Sequence, residues 1–321
     1  MHSSKSAAVL LALAAGAASF SARAAAPQGR PAALHGDMYY YQTQYSNGDT
    51  GDYVSIAPTW KKVDPETGKP WVTDIFLAAG HFGYDADDTP YIHLNDFTPD
   101  DPHYDPMWPE VAKAQAHGIK VHFMLGGAAP GTFRNLFAHF DTFYPLLKKT
   151  LKEHQLDGLD IDVEEAITLA QVEMLITRVH DDFGKSFSIT LAPVASDLTD
   201  GFGLSGFDYK DLYQGSVGPW ISWFNTQFYS GFGTLRDTSD YDAAVANGFP
   251  PSMIVAGVLD SPNDGSGYVD ITTLENTVRA LTAKYPDFAG VNGWEYFNAL
   301  PGGTGKPIRF AVEMGKAMKG K

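Results

Sequence analysis

The chain has 321 residues, 44% of them apolar, no Cys, and a net charge of −15 at pH 7. That length allows one large α/β barrel or two small domains, and the apolar share supplies a substantial core. Acidic residues spread along the whole chain argue against nucleic acid or an anionic membrane as partner, and the missing Cys excludes thiol catalysis and Cys-ligated zinc.

Lys5, the apolar run over 7–20 and the small-x-small triplet Ala22-Arg23-Ala24 read as a secretory signal peptide over 1–24. The run is short for a membrane span, and Pro27, Arg30 and Pro31 follow it, which argues against an uncleaved anchor. The expectation is a secreted, extracellular protein with a mature extension over 25–36 and a single folded domain over 37–321. Strand patterns follow at 38–45, 72–79, 120–125, 158–163, 188–193, 221–229, 253–259 and 290–296. Helical patterns lie between them at 109–117, 133–154, 169–183 and 272–284, and 309–318 closes the chain. This alternation predicts a parallel (β/α)8 barrel. The runner-up, a doubly wound open sheet, would show a Gly-x-Gly-x-x-Gly turn after its first strand, and none is present.

The fourth strand carries the densest chemistry, Asp157-Gly158-Leu159-Asp160-Ile161-Asp162-Val163-Glu164. Strand alternation puts Leu159, Ile161 and Val163 on one face and Asp160, Asp162 and Glu164 on the other. Three stacked carboxylic acids cannot all stay ionised, so at least one pKa must rise, which gives a protonated acid beside a charged neighbour. A solvated edge strand would not carry a purely aliphatic outer face. A calcium loop would want Gly and Asn between its acids. In a barrel the strand ends form the reactive rim, so Glu164 should stand there with Asp162 and Asp160 below it. Glu165 points the other way and is expected to open the following helix, where a negative charge suits the dipole.

Other strand ends add candidates. Gly126-Gly127 closes the third strand, either as a tight turn needing positive φ or as a place of close approach. On the sixth strand Trp223, Asn225, Gln227 and Tyr229 share the inward parity, and polar groups there need partners or a ligand. The eighth strand supplies Trp294. His93, Asp96, Asp100, Asp101 and His103 cluster after the second strand, but without metal-ligand spacing, so a substrate-lining loop is the better reading.

The pattern Asp-Gly-x-Asp-x-Asp-x-Glu, complete from Asp157 to Glu164, resembles the signature of family 18 glycoside hydrolases, the chitinases and endo-β-N-acetylglucosaminidases. The resemblance implies retaining hydrolysis in which the substrate's own acetamido oxygen attacks the anomeric carbon. Glu164 would then be the proton donor, Asp162 would orient the acetamido group, Asp160 would tune Asp162, and Tyr229 would fix the acetamido oxygen. It implies substrate contacts from Tyr41, Gly126, Gly127, Asn225 and Gln227, with Trp294 as the floor under the reacting sugar, and neither cofactor nor metal.

Segments around 93–97, 126–131, 190–196, 225–241 and 293–303 further resemble fungal endo-β-N-acetylglucosaminidases. That implies cleavage between the two core GlcNAc residues of high-mannose N-glycans, and a monomer is the expectation. Only 260–270 fills the gap where many chitinases carry an α+β insertion, so the groove should be shallow and open. Asn292 departs from the pattern, where an apolar residue such as Met is expected. An endochitinase would share every catalytic residue, and a glycan-binding lectin on the same barrel would normally lack the acid that Glu164 supplies.

Overall fold

Leu159, Ile161 and Val163 are fully enclosed among apolar side chains of the surrounding helices, including Leu147, Leu151, Val172, Leu175 and Ile176. Burying each is worth about 1.5–3 kcal/mol. Slipping the strand by one residue would push Asp160 and Asp162 into that layer instead, so the register is fixed.

The computed structural model describes residues 35–40, 53–201 and 203–321. Tyr41, the leader and nearly all of the 25–36 extension lie outside the described residues. The strands are β1 (His35–Tyr40), β2 (Asp74–Tyr84), β3 (Pro90–Leu94), β4 (Lys120–Gly126), β5 (Gly158–Asp162), β6 (Ser188–Leu191), β7 (Trp223–Gln227), β8 (Ile254–Leu259) and β9 (Gly290–Trp294). All except β3 run parallel, each to its neighbour, and β1 pairs with both β9 and β2. That double pairing closes eight strands into the expected (β/α)8 barrel. β3 folds back antiparallel on the long end of β2, a hairpin that the sequence pattern did not indicate.

The helices are α1 (Ala57–Lys61), α2 (Met107–Ala116), α3 (Thr132–Ala138), α4 (Phe140–Glu153), α5 (Leu169–Phe183), α6 (Ala195–Thr199), α7 (Tyr209–Gln214), α8 (Ser239–Ala246), α9 (Ile271–Lys284) and α10 (Arg309–Met318). The helix expected over 133–154 is two: His139 leaves helical geometry at φ −141° and ψ 56°, and α3 ends there. α5 starts on a capping box in which Thr168 and Gln171 bond each other's backbone N–H.

Three expectations need correction. Glu165 does not open α5; its carboxylate accepts from the backbone N–H of Gly131 and Phe133 at the start of α3. The dipole argument holds, but the helix belongs to the preceding βα unit. The barrel starts at His35 rather than at residue 37, because His35 and Gly36 already pair with Gly290 and Val291. The residues His93, Asp96, Asp100, Asp101 and His103 are not among those lining the main cleft. His93 stacks on Tyr91 in the hairpin, and Asp101 caps a short 3-10 turn.

Inside the barrel lies a separate, smaller cluster of Tyr39, Phe76, Ala78, Ala79, Met124, Trp223, Val255 and Ala289. The β8–α9 connection occupies only 260–270, so no large domain is inserted there. Among the described residues no helix is long and apolar enough to cross a membrane.

Candidate active site

Each residue of the acid motif has a separable physical task. Asp157 fastens β5 to β4: its carboxylate accepts from Lys120 Nζ at 2.7 Å, from Val121 N at 3.0 Å and from Gln115 Nε2 at 2.9 Å. Gly158 leaves room for the buried His122 ring, since a Cβ there would lie 2.2 Å from His122 Nδ1. His122 is held in turn by Asp74, Nε2 to Oδ1 at 2.8 Å, with both side chains fully enclosed.

Above that layer, Asp160 accepts from the Tyr39 hydroxyl at 2.6 Å, the Thr190 hydroxyl at 2.6 Å and Asn225 Nδ2 at 3.2 Å. Burial pushes its pKa up, and the three donors hold the rise back. Asp162 is also buried, with the charges of Glu164 and Asp160 close by, and its carboxyl sits well above the usual range. Glu164 stands at the rim, half-buried, and its pKa is raised by burial and restrained by a hydrogen bond from Gln227. The Asp162–Glu164 pair therefore holds a proton that two solvated carboxylates would have lost.

Gln227 ties the two acids together. Its Nε2 donates towards Asp162 Oδ1 at 3.2 Å, Glu164 Oε1 at 3.2 Å and the Ala192 carbonyl at 2.9 Å. Two N–H bonds are shared among three acceptors, so the amide can yield one to a ligand at small cost. Tyr229 faces the same acids, which together with burial keep its phenol protonated.

Gly126 and Gly127 line the cleft, and close approach explains them. A Cβ on Gly126 would lie 2.1 Å from the Asp162 carbonyl oxygen, and its φ is +104°. Gly127 N donates to that same carbonyl at 2.9 Å, so the pair clamps the acid column at the backbone of Asp162.

Asp162, Glu164, Gln227, Tyr229, Gly126, Gly127 and Trp294 all border one cleft of about 400 Å³ at the strand C-termini. A smaller recess shares Asp162, Gln227, Tyr229 and Trp294 with it and reaches inward to Tyr39, Asn225 and Asn292. Asp160 and Asn225 do not border the main cleft. The Asn225 amide is engaged by Trp223 Nε1 at 2.9 Å and by Asp160, so both residues position the column from within. Asn292, where an apolar residue was expected, is buried and donates to Asn225 Oδ1 at 3.3 Å, adding a polar partner to that layer.

Several cleft residues escaped the sequence reading. His81 borders it, bonded to the Thr132 hydroxyl at 2.9 Å, with burial lowering its pKa. Asp264 and Glu295 also border it. Strand parity would turn Glu295 outward, but β9 ends at Trp294 and the alternation ends with it. Their signal was position: both follow the C-terminal end of a barrel strand. Among the described residues no group of three or more His, Cys, Asp or Glu is arranged to hold a metal ion.

No family model matches the chain. It is 26% identical over 219 residues to Chitinase 2 of Rhizopus oligosporus, a match spanning 60% of this chain but only 37% of that protein. It is 27% identical over 157 residues to Endochitinase 37 of Trichoderma harzianum, covering 44% of this chain and 46% of that one. The chain thus spans less than half the length of these curated relatives. Among solved structures, chitinase ChiC from Aspergillus fumigatus superimposes with a TM-score of 0.76 at 42% identity, covering 89% of this chain and all of that one. A fungal endo-β-N-acetylglucosaminidase of glycosyl hydrolase family 18 superimposes with a TM-score of 0.79 at 41% identity, covering 88% of this chain and 96% of that chain. With that likeness across the whole barrel and an intact acid column on its fourth barrel strand, the chain belongs to glycosyl hydrolase family 18 and is a glycoside hydrolase.

Proposed function

We propose that the protein is a secreted endo-β-N-acetylglucosaminidase that cuts the β-1,4 bond between the two core GlcNAc residues of high-mannose N-glycans. The observation that carries the chemistry is the pair Asp162 and Glu164 at the mouth of one cleft, bridged by Gln227 Nε2, with burial raising the pKa of both. Glu164 gives a proton to the departing glycosidic oxygen. The acetamido group of the reacting sugar packs in the cleft against Asp162, Gln227 and Tyr229, and its oxygen attacks the anomeric carbon. The Tyr229 hydroxyl and the Gln227 amide hold that oxygen in line. Asp162 accepts the amide N–H and, as positive charge develops on the oxazolinium ring, balances it. Asp160, fixed by Tyr39, Thr190 and Asn225, tunes Asp162 from below through its charge. Glu164, now a base, activates the water that opens the ring with net retention.

The short 260–270 connection and a cleft of about 400 Å³ support a compact site for a branched glycan core rather than a long polymer groove. The likeness to the fungal endo-β-N-acetylglucosaminidase supports the same reading. The leader-like N-terminus supports export. An endochitinase is the second reading, favoured by the equally close likeness to ChiC. The two separate on one assay, in which a high-mannose glycoprotein and chitin oligosaccharides are incubated separately with the protein and the products read by mass spectrometry. A glycoprotein left with a single GlcNAc per site, and chitin uncut, fits the proposal. Cut chitin with an intact glycoprotein replaces it with the endochitinase, and silence on both returns the lectin.

A further inference from the structure

A second hollow, of about 570 Å³, lies between α1 and the first turns of α10. Pro58, Ile308 and Val312 give it an apolar floor, and Lys61, Lys62, Lys306 and Arg309 line it as well. All four cations are exposed, and none has a carboxylate partner among the described residues. The carboxylate that shares the lining, Glu313, is bonded to Lys316 Nζ at 3.0 Å. Asp64 and Glu66, which follow Lys62 closely in the chain, are paired with Lys319 and Lys321.

This arrangement runs against the composition. In a chain of net charge −15, acids are plentiful, yet four cations gather here without one to bridge them. Like charges grouped in this way do nothing for the fold. Arg309 adds to the excess, because it opens α10 where the helix dipole is already positive, and the first turn holds no acid. An anion settling in the hollow relieves both.

The lining narrows the chemistry of that anion. No aromatic ring borders the hollow among the described residues, whereas Tyr229, Phe232 and Trp294 border the cleft. Sugar faces and nucleic-acid bases rest on such rings, so neither suits this floor. The overall negative charge also repels a polyphosphate chain or an anionic bilayer. A recess of about 350 Å³ lined by Tyr53, Val54 and Pro307 adjoins the hollow and shares Pro58 and Gly305 with it. Together they make an elongated trough, the shape of an extended chain rather than of a small ion. Carboxylates match the Lys ammonium groups and the planar fork of Arg309, and an aliphatic side chain matches the floor.

We propose that this trough is a docking surface for an acidic polypeptide segment. Its carboxylates meet Lys61, Lys62, Lys306 and Arg309 while an aliphatic side chain covers Pro58, Ile308 and Val312. The surface is independent of the glycosidase reading and holds whichever glycan the cleft takes.

Fluorescence anisotropy with a labelled peptide of Glu interrupted by Leu tests it, at low and at physiological ionic strength. The double variant Lys306→Glu/Arg309→Glu should weaken binding about tenfold or more, and Lys306→Gln/Arg309→Gln by less. Val312→Ser, which thins the floor, should weaken it about threefold. Added salt should weaken the parent's binding and barely affect the charge-reversed protein. All the altered side chains lie away from the cleft, so the melting temperature and any oligosaccharide cleavage should stay as in the parent. A charge-reversed protein of unchanged melting temperature whose Kd moves less than about twofold would overturn the proposal. So would an all-Glu peptide or inorganic polyphosphate that binds as tightly as the Leu-containing peptide, since that describes a mere sink for anions. Sedimentation in which the parent pairs with itself and the charge-reversed protein does not would give the trough to a second copy of the chain instead.

Discussion

Glu295 makes a demand on stability that can be worked through to a number. Burial first, and Asp264 second, push its carboxyl from 4.5 to about 9. The folded protein keeps a proton there that the unfolded chain releases near pH 4.5. A group whose pKa is raised by folding favours the folded state less and less as pH climbs, so stability falls across that window. One full proton of difference is worth about 1.4 kcal/mol per pH unit, so the change from pH 5 to pH 8 amounts to about 4 kcal/mol at most. Glu295→Gln keeps the size of the side chain and removes the proton. It should flatten the pH dependence by up to that amount and leave the variant the more stable protein above neutrality. Asp260 and Asp264 are present in both proteins, and because Glu295 is among the charges that raise Asp260 the difference reads Glu295 together with that coupling. Urea unfolding of parent and variant across pH 5 to 8 reads the difference as a diverging pair of ΔG values. Parallel curves would refute a protonated Glu295, and an advantage that grew toward acid would refute the sign.

Three further outcomes follow from the acid column. Glu164→Gln should lower kcat by about 10²–10⁴ while the Kd for an uncleaved glycan stays within a few fold, and near-normal turnover would remove Glu164 from its role. Gln227→Leu takes away the donor that lowers the Glu164 pKa, so the alkaline limb of the kcat/KM profile should move to higher pH as overall activity falls. A limb moving to lower pH contradicts that account. Gly126→Ala places a methyl group 2.1 Å from the Asp162 carbonyl at a φ of +104°, and should cost about 1–3 kcal/mol in calorimetric unfolding. An unchanged melting temperature would show that the β4–β5 clamp is looser than its geometry.

The acid column was legible in the sequence because one rule, the period of two, governs both faces of β5. Leu159, Ile161 and Val163 face the helices, which leaves Asp160, Asp162 and Glu164 only the barrel interior and its rim. The same rule placed Trp223, Asn225 and Gln227 inward on β7, with Tyr229 in the cleft beyond its end. It stops working where strands stop, which is why Glu295, one residue beyond β9, was missed. Partners distant in sequence were also out of reach. Glu165 serves a helix more than thirty residues before it, and nothing local to Asn292 shows that its amide meets Asn225. The break at His139 inside an otherwise helical pattern is of the same kind: the apolar period continues across it, so only the backbone records the change. Tyr41, implied as a substrate contact, lies outside the described residues.

The measurement closest to the central claim is the anomeric form of the first product, followed by proton NMR during cleavage of a GlcNAc-β-1,4-GlcNAc linkage. Attack by the acetamido oxygen followed by water gives the β-anomer first, with the α-anomer growing in only as mutarotation proceeds. An α-anomer formed from the outset would mean that water attacks directly, and the substrate-assisted role given to Asp162, Gln227 and Tyr229 would fall.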